Sequence, residues 1–361
     1  MSIYRRICTI IFFAFISATS SAQDKKAMAS EIGENAMKML EDGKIDEAIV
    51  QLTKAEKLDP ADYHYPYEIG YAYQMKNDYP KALEELKKVV KFRDADDLCY
   101  QFLGNLYDQA GDTTKAFAAY KAGLKKFPNS GRLYMEQGNI YFTHHEYEKA
   151  VYYYENGIDK DPTFSSNYYR AAIIFLDGDE KVWGMLYGEL FINLERNTDR
   201  TRSMSKLLYD NYQSQVKKVN DTAMSISFSK VNTVYVDKNG KAGNLPFGVT
   251  VYEPLMLTGF AMADAIDMEA MCKARKTFID EFYKGEYAQK YPNVLFEYEK
   301  RMSDLGYSDA YNHWILLQGD VTAFDAWKAT HTKEYNAFTQ WFVKNPLILT
   351  DQEHFVRMQY H

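Results

Sequence analysis

Cysteine is nearly missing from this chain, with three in 361 residues. Secreted scaffolds held by disulfides are far denser in cysteine, so that class is excluded. Glycine (19) and proline (nine) are too sparse for a collagen-like chain, and 46% hydrophobic residues exclude a disordered one. Basic residues are outnumbered, 43 against 50 acidic, and no long Lys/Arg run occurs. A net charge of -7 without a basic cluster disfavours nucleic acid or anionic lipid as the main partner. Catalytic signatures are absent too: there is no G-x-S-x-G, H-E-x-x-H, P-loop or dinucleotide fingerprint. The reading is of a protein that is not an enzyme and holds no cofactor. What the chain does have is aromatic bulk, 31 Tyr and 21 Phe.

One apolar run stands out, Ile7 to Ile16, preceded by Arg5-Arg6 and followed by Ser20-Ser21-Ala22. Ten residues reach about 15 Å as a helix, half of a ~30 Å hydrocarbon core, which is too short for an anchor. Charge, apolar stretch and small residues in that order form a secretory signal peptide over 1–22, cleaved after Ala22. The expected location is outside the inner membrane, the periplasm first and the extracellular space as the alternative. Cleavage leaves Cys99 and Cys272, read as two isolated buried thiols in preference to one bridge.

A 34-residue period governs the first half. Ala48, Ala82, Ala116 and Ala150 fall on one grid, and Ala36, Gly70, Gly104, Gly138 and Ala172 on another. Pro60, Pro128 and Pro162 share the register, with Asp94 in the remaining slot. Small residues at fixed spacing mark helices that cross too closely for larger side chains, and the aromatics around them fill the grooves. Ten tyrosines take such packing positions: Tyr73, Tyr79, Tyr100, Tyr107, Tyr120, Tyr134, Tyr141, Tyr147, Tyr154 and Tyr168. Between paired helices run the polar turns EDGKIDEA, MKNDYPKA, QAGDTTKA and THHEYEKA.

On these residues the segment from Ala29 to Pro162 resembles the tetratricopeptide repeat (TPR) family, a helix-turn-helix unit of the same period. A degenerate fifth unit to about Arg202 keeps Tyr168, Ala172 and Phe175 but has Gly184 in the alanine slot. The resemblance implies an all-α fold, a right-handed superhelix over residues 29–202 whose concave groove is lined by the first helix of each pair. It further implies a non-catalytic scaffold that binds a protein or peptide, and the signal peptide makes the expected partner one of the bacterial envelope. Groove-facing slots hold Tyr67, Tyr71, Met75, Gln101, Asn105, Asp108, Met135, Asn139, Phe142 and Tyr169, a surface suited to peptide contact. The chain's own C-terminal domain is an equally good occupant of that wall. The carboxylate clamp of co-chaperone TPR domains is not matched. Its slots hold Gln101, Asn105, Glu136, Ser166 and Arg170, and Glu136 would repel an anion.

Residues 203–250 read as a capping helix through Lys218 and then a linker or β-hairpin with its turn at Asn239-Gly240. Residues 251–361 read as a helical domain without a recognisable repeat. Expected there are a long helix from Glu253 to about Tyr283, another from Pro292 to Gly306, shorter ones around Trp314, Trp327 and Trp341, and one after Asp351. This domain could close the solenoid or support self-association. In an alternative reading it binds a small molecule or glycan, or is catalytic, with Trp314, Trp327, Trp341, Asp320 and Asp325 around a pocket. No metal site is expected: adjacent His144-His145 lies in a turn, and neighbouring side chains do not converge on one ion.

Overall fold

The computed structural model describes residues 23–220, 223–229, 246–261 and 263–360. The signal peptide and the Asn239-Gly240 turn lie outside the described residues. Those described form two compact units, divided between Pro128 and Asn129.

The first unit is three helical hairpins. Residues 23–41 form α1, followed by α2 (Ile45–Leu58), α3 (His64–Met75), α4 (Tyr79–Val89), α5 (Asp97–Gln109) and α6 (Thr113–Lys126). The repeated grid has a direct packing cause. A Cβ on Gly70 would stand 2.1 Å from Leu86 Cδ2, and one on Gly104 would stand 2.1 Å from the Tyr120 ring. The polar turns share a backbone device as well. Gly43, Asn77 and Gly111 have φ of 75°, 57° and 81°, and His145 repeats it in the second unit at 59°. One left-handed residue at each turn ends the first helix of the hairpin. Asp78 and Asp112 then cap the second helix, accepting from the backbone N–H of Lys81 and Lys115. Replacing Gly104 by alanine should cost about 1–3 kcal/mol through overpacking against the Tyr120 ring, measured by chemical denaturation. Tolerance of Gly104→Ala within about 0.5 kcal/mol would refute the packing account.

The second unit opens with two more hairpins, α7 (Gly131–Thr143) with α8 (Tyr147–Lys160) and α9 (Ser165–Asp177) with α10 (Lys181–Leu194), and continues into α11 (Asp199–Gln215). Gly138 repeats the tight crossing, its added Cβ 2.4 Å from the Tyr154 ring. Helix α11 stops at Gln215, short of the expected Lys218. The chain there becomes β1 (Val216–Asn220), antiparallel to β2 (Ala223–Ile226). Residues 248–252 form a π-helical turn leading to α12 (Glu253–Phe260).

The long helix expected from Glu253 to Tyr283 is two helices. Asp267 caps α13 (Met268–Lys284) through the Ala270 N–H, so the chain restarts there. After α14 (Tyr287–Lys290) come α15 (Val294–Asp304), α16 (Ser308–Leu316), α17 (Val321–Thr330) and α18 (Thr332–Lys344), as expected around the three tryptophans. The tail holds a 3-10 turn, Arg357–Tyr360, in place of a final α-helix.

Helix α10 is the hub of this unit. Twelve of its 14 residues, Val182 to Asn193, are buried, which a helix reaches only when covered on all sides. Trp183 stacks on Phe247 at 5.9 Å and Phe355 at 6.1 Å. Among the described residues the fold is all-α with one small two-stranded ladder, and no helix is long and apolar enough to cross a membrane. Cys99 and Cys272 are both buried, free thiols.

Burial of α10 brings charge into the core. Glu189 accepts from Arg275 Nη2 at 2.5 Å and from Tyr311 Oη at 2.8 Å, while Glu299 lies 3.3 Å from the same guanidinium nitrogen. Two carboxyl groups share one cation. Burial, with the Glu189 charge beside it, pushes the Glu299 carboxyl well above its ordinary value against the pull of Arg275. An acid raised in this way binds its proton more tightly folded than unfolded. Its stabilisation is whole below the ordinary carboxylate range and is lost as pH rises toward the folded value. Glu299→Gln cannot ionise, so its stability relative to wild type should increase as pH rises above the ordinary carboxylate range. Parallel stability-versus-pH curves for the two proteins would contradict the shared-cation account.

Candidate functional site

The sequence-derived groove residues fall on the first helix of each hairpin, in both units. In the first unit, Tyr67 and Tyr71 of α3 face Phe102 of α5, with ring centroids 5.1 and 6.5 Å apart. Desolvation pushes the Tyr67 phenol up to about 12, while Tyr71 and Met75 are exposed. Phe102 lies outside the expected set, yet it is what joins the two tyrosines. Gln101 and Asn105 are half-buried and Asp108 is exposed, its Oδ1 accepting from Thr113 Oγ1 at 3.3 Å.

Two of the candidates have a structural duty. Tyr120 Oη donates to Asn105 Oδ1 at 2.6 Å, and Tyr154 Oη donates to Asn139 Oδ1 at 2.9 Å. These are one bond repeated a full period on, and each asparagine satisfies a phenol that is itself buried. Asn139 also donates to Glu136. An Asn139→Ala change would therefore disturb the hairpin core, and it is a poor probe of partner binding.

In the second unit the face gathers into a pocket of about 660 Å³, lined by Phe142, Tyr147, Ile173, Ile174, Leu176, Asp177, Gly178, Lys181, Leu207, Asp210, Asn211 and Ser214. Its walls are the C-terminal ends of α7, α9 and α11 and the starts of α8 and α10. Among the described residues none beyond Ser214 lines it, so the described C-terminal segment does not fill this part of the face. That segment packs instead on α10, through contacts such as Trp183 with Phe355. Phe142 meets Tyr147 edge-on at 5.7 Å. Tyr147, expected in the core, is 43% exposed and belongs to this rim. Met135 packs on the hydrophobic core, and Tyr169 lies between Phe191 at 4.9 Å and the Arg200 guanidinium at 5.2 Å.

Four lining residues outside the expected set obey the same period. Ile173 and Leu207 extend the series Tyr71, Asn105, Asn139 by one period each time, and Leu176 and Asp210 extend Asp108, Phe142. Carrying the grid two steps past Pro162 finds them. Tryptophans of the C-terminal segment serve packing: Trp314 meets Phe342 at 4.7 Å, Trp341 lies 5.7 Å from Tyr307, and Trp327 donates to Asp309. Asp320 caps α17 and Asp325 is exposed. His144 and His145 remain exposed in the α7–α8 turn.

Residues 103–163 match the sequence model of the tetratricopeptide repeat family. That stretch carries tetratricopeptide-repeat sequence. Among solved structures, TPR-containing segments of the chain are similar to PilF of Pseudomonas aeruginosa, at 16% identity, over 53% of this chain and 86% of that one, TM-score 0.43. MamA from Desulfovibrio magneticus RS-1 is similar at 21% identity over 49% and 98%, TM-score 0.38. TTC0263, a TPR protein of Thermus thermophilus, is similar at 16% identity over 50% and 98%, TM-score 0.39. No curated protein matches the chain.

Proposed function

We propose that this TPR protein is an exported, non-catalytic scaffold that docks a peptide segment of an envelope protein on the face of its first-position helices. The observation that carries the reading is the α7/α9/α11 pocket. At about 660 Å³ it falls within the size range of ligand pockets, and its floor is aliphatic and aromatic. One large apolar side chain of an extended peptide fits such a floor as an anchor. Asp177 and Asp210 stand at the edge, and Lys181 spends its ammonium on the Leu176 carbonyl. Asp210 is already paired with Lys206 at 2.9 Å, so Asp177 is the acid that disfavours an acidic neighbour beside the anchor.

Selection of a random peptide library on the mature chain should enrich sequences with a single bulky apolar residue. An Ile173→Ser/Leu207→Ser variant, altering half-buried positions, should lose them while its circular dichroism is unchanged. Peptides that bind the variant equally well would sink the pocket as the docking site. Export has its own readout: the protein recovered from envelope should begin at Gln23, and an intact Met1 on that protein would reject the signal-peptide reading.

A further inference from the structure

A group of side chains distant in sequence from the pocket residues combines three metal donors. Cys272 comes from α13, and Asp309 and His313 are an i, i+4 pair on α16. One ligand atom from each lies within 4.8 Å of the other two. Three points no farther apart than that have a common centre at most about 2.8 Å from each. Side-chain movements of at most about 0.5–0.8 Å therefore close the set onto the ~2.0–2.3 Å bonds that zinc makes with nitrogen, oxygen and sulfur. Thiolate and imidazole together exclude magnesium and calcium, which take oxygen donors.

The surroundings hold these donors in place. Asn312 Nδ2 donates to the Cys272 carbonyl at 3.2 Å, tying α16 to α13. His313 Nδ1 lies 2.9 Å from the Asp309 carbonyl oxygen and 3.3 Å from Asp309 Oδ1. Trp327 Nε1 donates to the other carboxylate oxygen, Oδ2, at 2.9 Å. The Trp327 ring lies flat between two imidazoles, 4.1 Å from His313 and 4.9 Å from His331. Oriented ligands with hydrogen-bonded outer partners are what a metal site requires. Access exists on one side: Cys272 and His313 are buried, but the Asp309 side chain is 45% exposed.

We propose that Cys272, Asp309 and His313 bind a zinc-class divalent cation, with Asp309 on the solvent side and water as the fourth ligand. This site is independent of the peptide pocket. Titration of the full mature chain with Co(II), followed by absorption, tests it. The expected result is a near-ultraviolet thiolate-to-cobalt charge-transfer band with intensified visible bands. Cys272→Ser should abolish the charge-transfer band and Cys99→Ser should keep it. His313→Gln should weaken Co(II) binding at least about tenfold. If Cys272→Ser fails to fold by circular dichroism, Asp309→Asn, at a half-exposed position, must weaken binding in a folded protein. A folded wild-type chain without the charge-transfer band overturns the proposal. So does a band that persists in folded Cys272→Ser, or Co(II) affinity unchanged in Asp309→Asn.

Discussion

Arg275→Met should destabilise the protein by about 3–5 kcal/mol, because it strands two carboxyl groups in the core without their cation. Glu189 and Glu299 are both buried, and Arg275 is their shared ion-pair partner. Methionine keeps the packing of the arginine stem but leaves the guanidinium's volume empty, so the charge term is isolated only by comparison with a variant that shares the same void. The control is the triple variant Arg275→Met/Glu189→Gln/Glu299→Gln, which removes all three ionisable groups and should recover most of the stability. Denaturant midpoints of the two variants decide the matter. A triple variant as unstable as the single one would show that shape, not charge, carries the cost.

Arg357→Met should cost about 3 kcal/mol by the same physics at the other end of the chain. Its guanidinium donates twice to Glu155, Nε to Oε1 at 3.0 Å and Nη2 to Oε2 at 3.1 Å, while its backbone N–H donates to Tyr187 Oη at 2.8 Å. Tyr187 in turn donates to Glu155 at 2.7 Å. Glu155 is only 1% exposed, so without the arginine it keeps a single donor. The tail around Phe355 and Tyr360 should then lose amide-exchange protection before the rest of the unit. Adding Glu155→Gln to Arg357→Met should restore part of the loss. Unchanged exchange in the tail of Arg357→Met would mean that aromatic packing of Phe355 and Tyr360 holds it alone.

Local periodicity made the repeats legible. Glycines one period apart reported helix crossings, and Gly70, Gly104 and Gly138 each face a large side chain on the paired helix. The same grid placed Tyr71, Asn105 and Asn139 at equivalent helix positions. It did not separate a contact residue from one that anchors a neighbouring phenol, because that depends on the bonds to Tyr120 and Tyr154. Tyr147 reads as core because aromatics at such positions usually pack inward, yet it sits at the opening of a helix where the pocket begins. The buried Glu189–Arg275–Glu299 group had no local signal. Its members lie on three helices, and Arg275 reads in sequence as one more charge on an amphipathic helix. For the same reason the alliance of Cys272 with Asp309 and His313 could not be read from spacing.

Docking of a partner peptide in the α7/α9/α11 pocket is tested most directly by an aromatic photo-crosslinking residue placed at Tyr147, exposed on the pocket rim, in the protein expressed in its native cell. An otherwise identical protein carrying the crosslinker at Lys276, exposed on α13 and not part of the pocket, is the reference. The expected result is a small set of protein adducts at position 147, absent at position 276 and suppressed by Ile173→Ser in the same chain. Adducts that are equal at both positions, or none at 147, would contradict docking in this pocket.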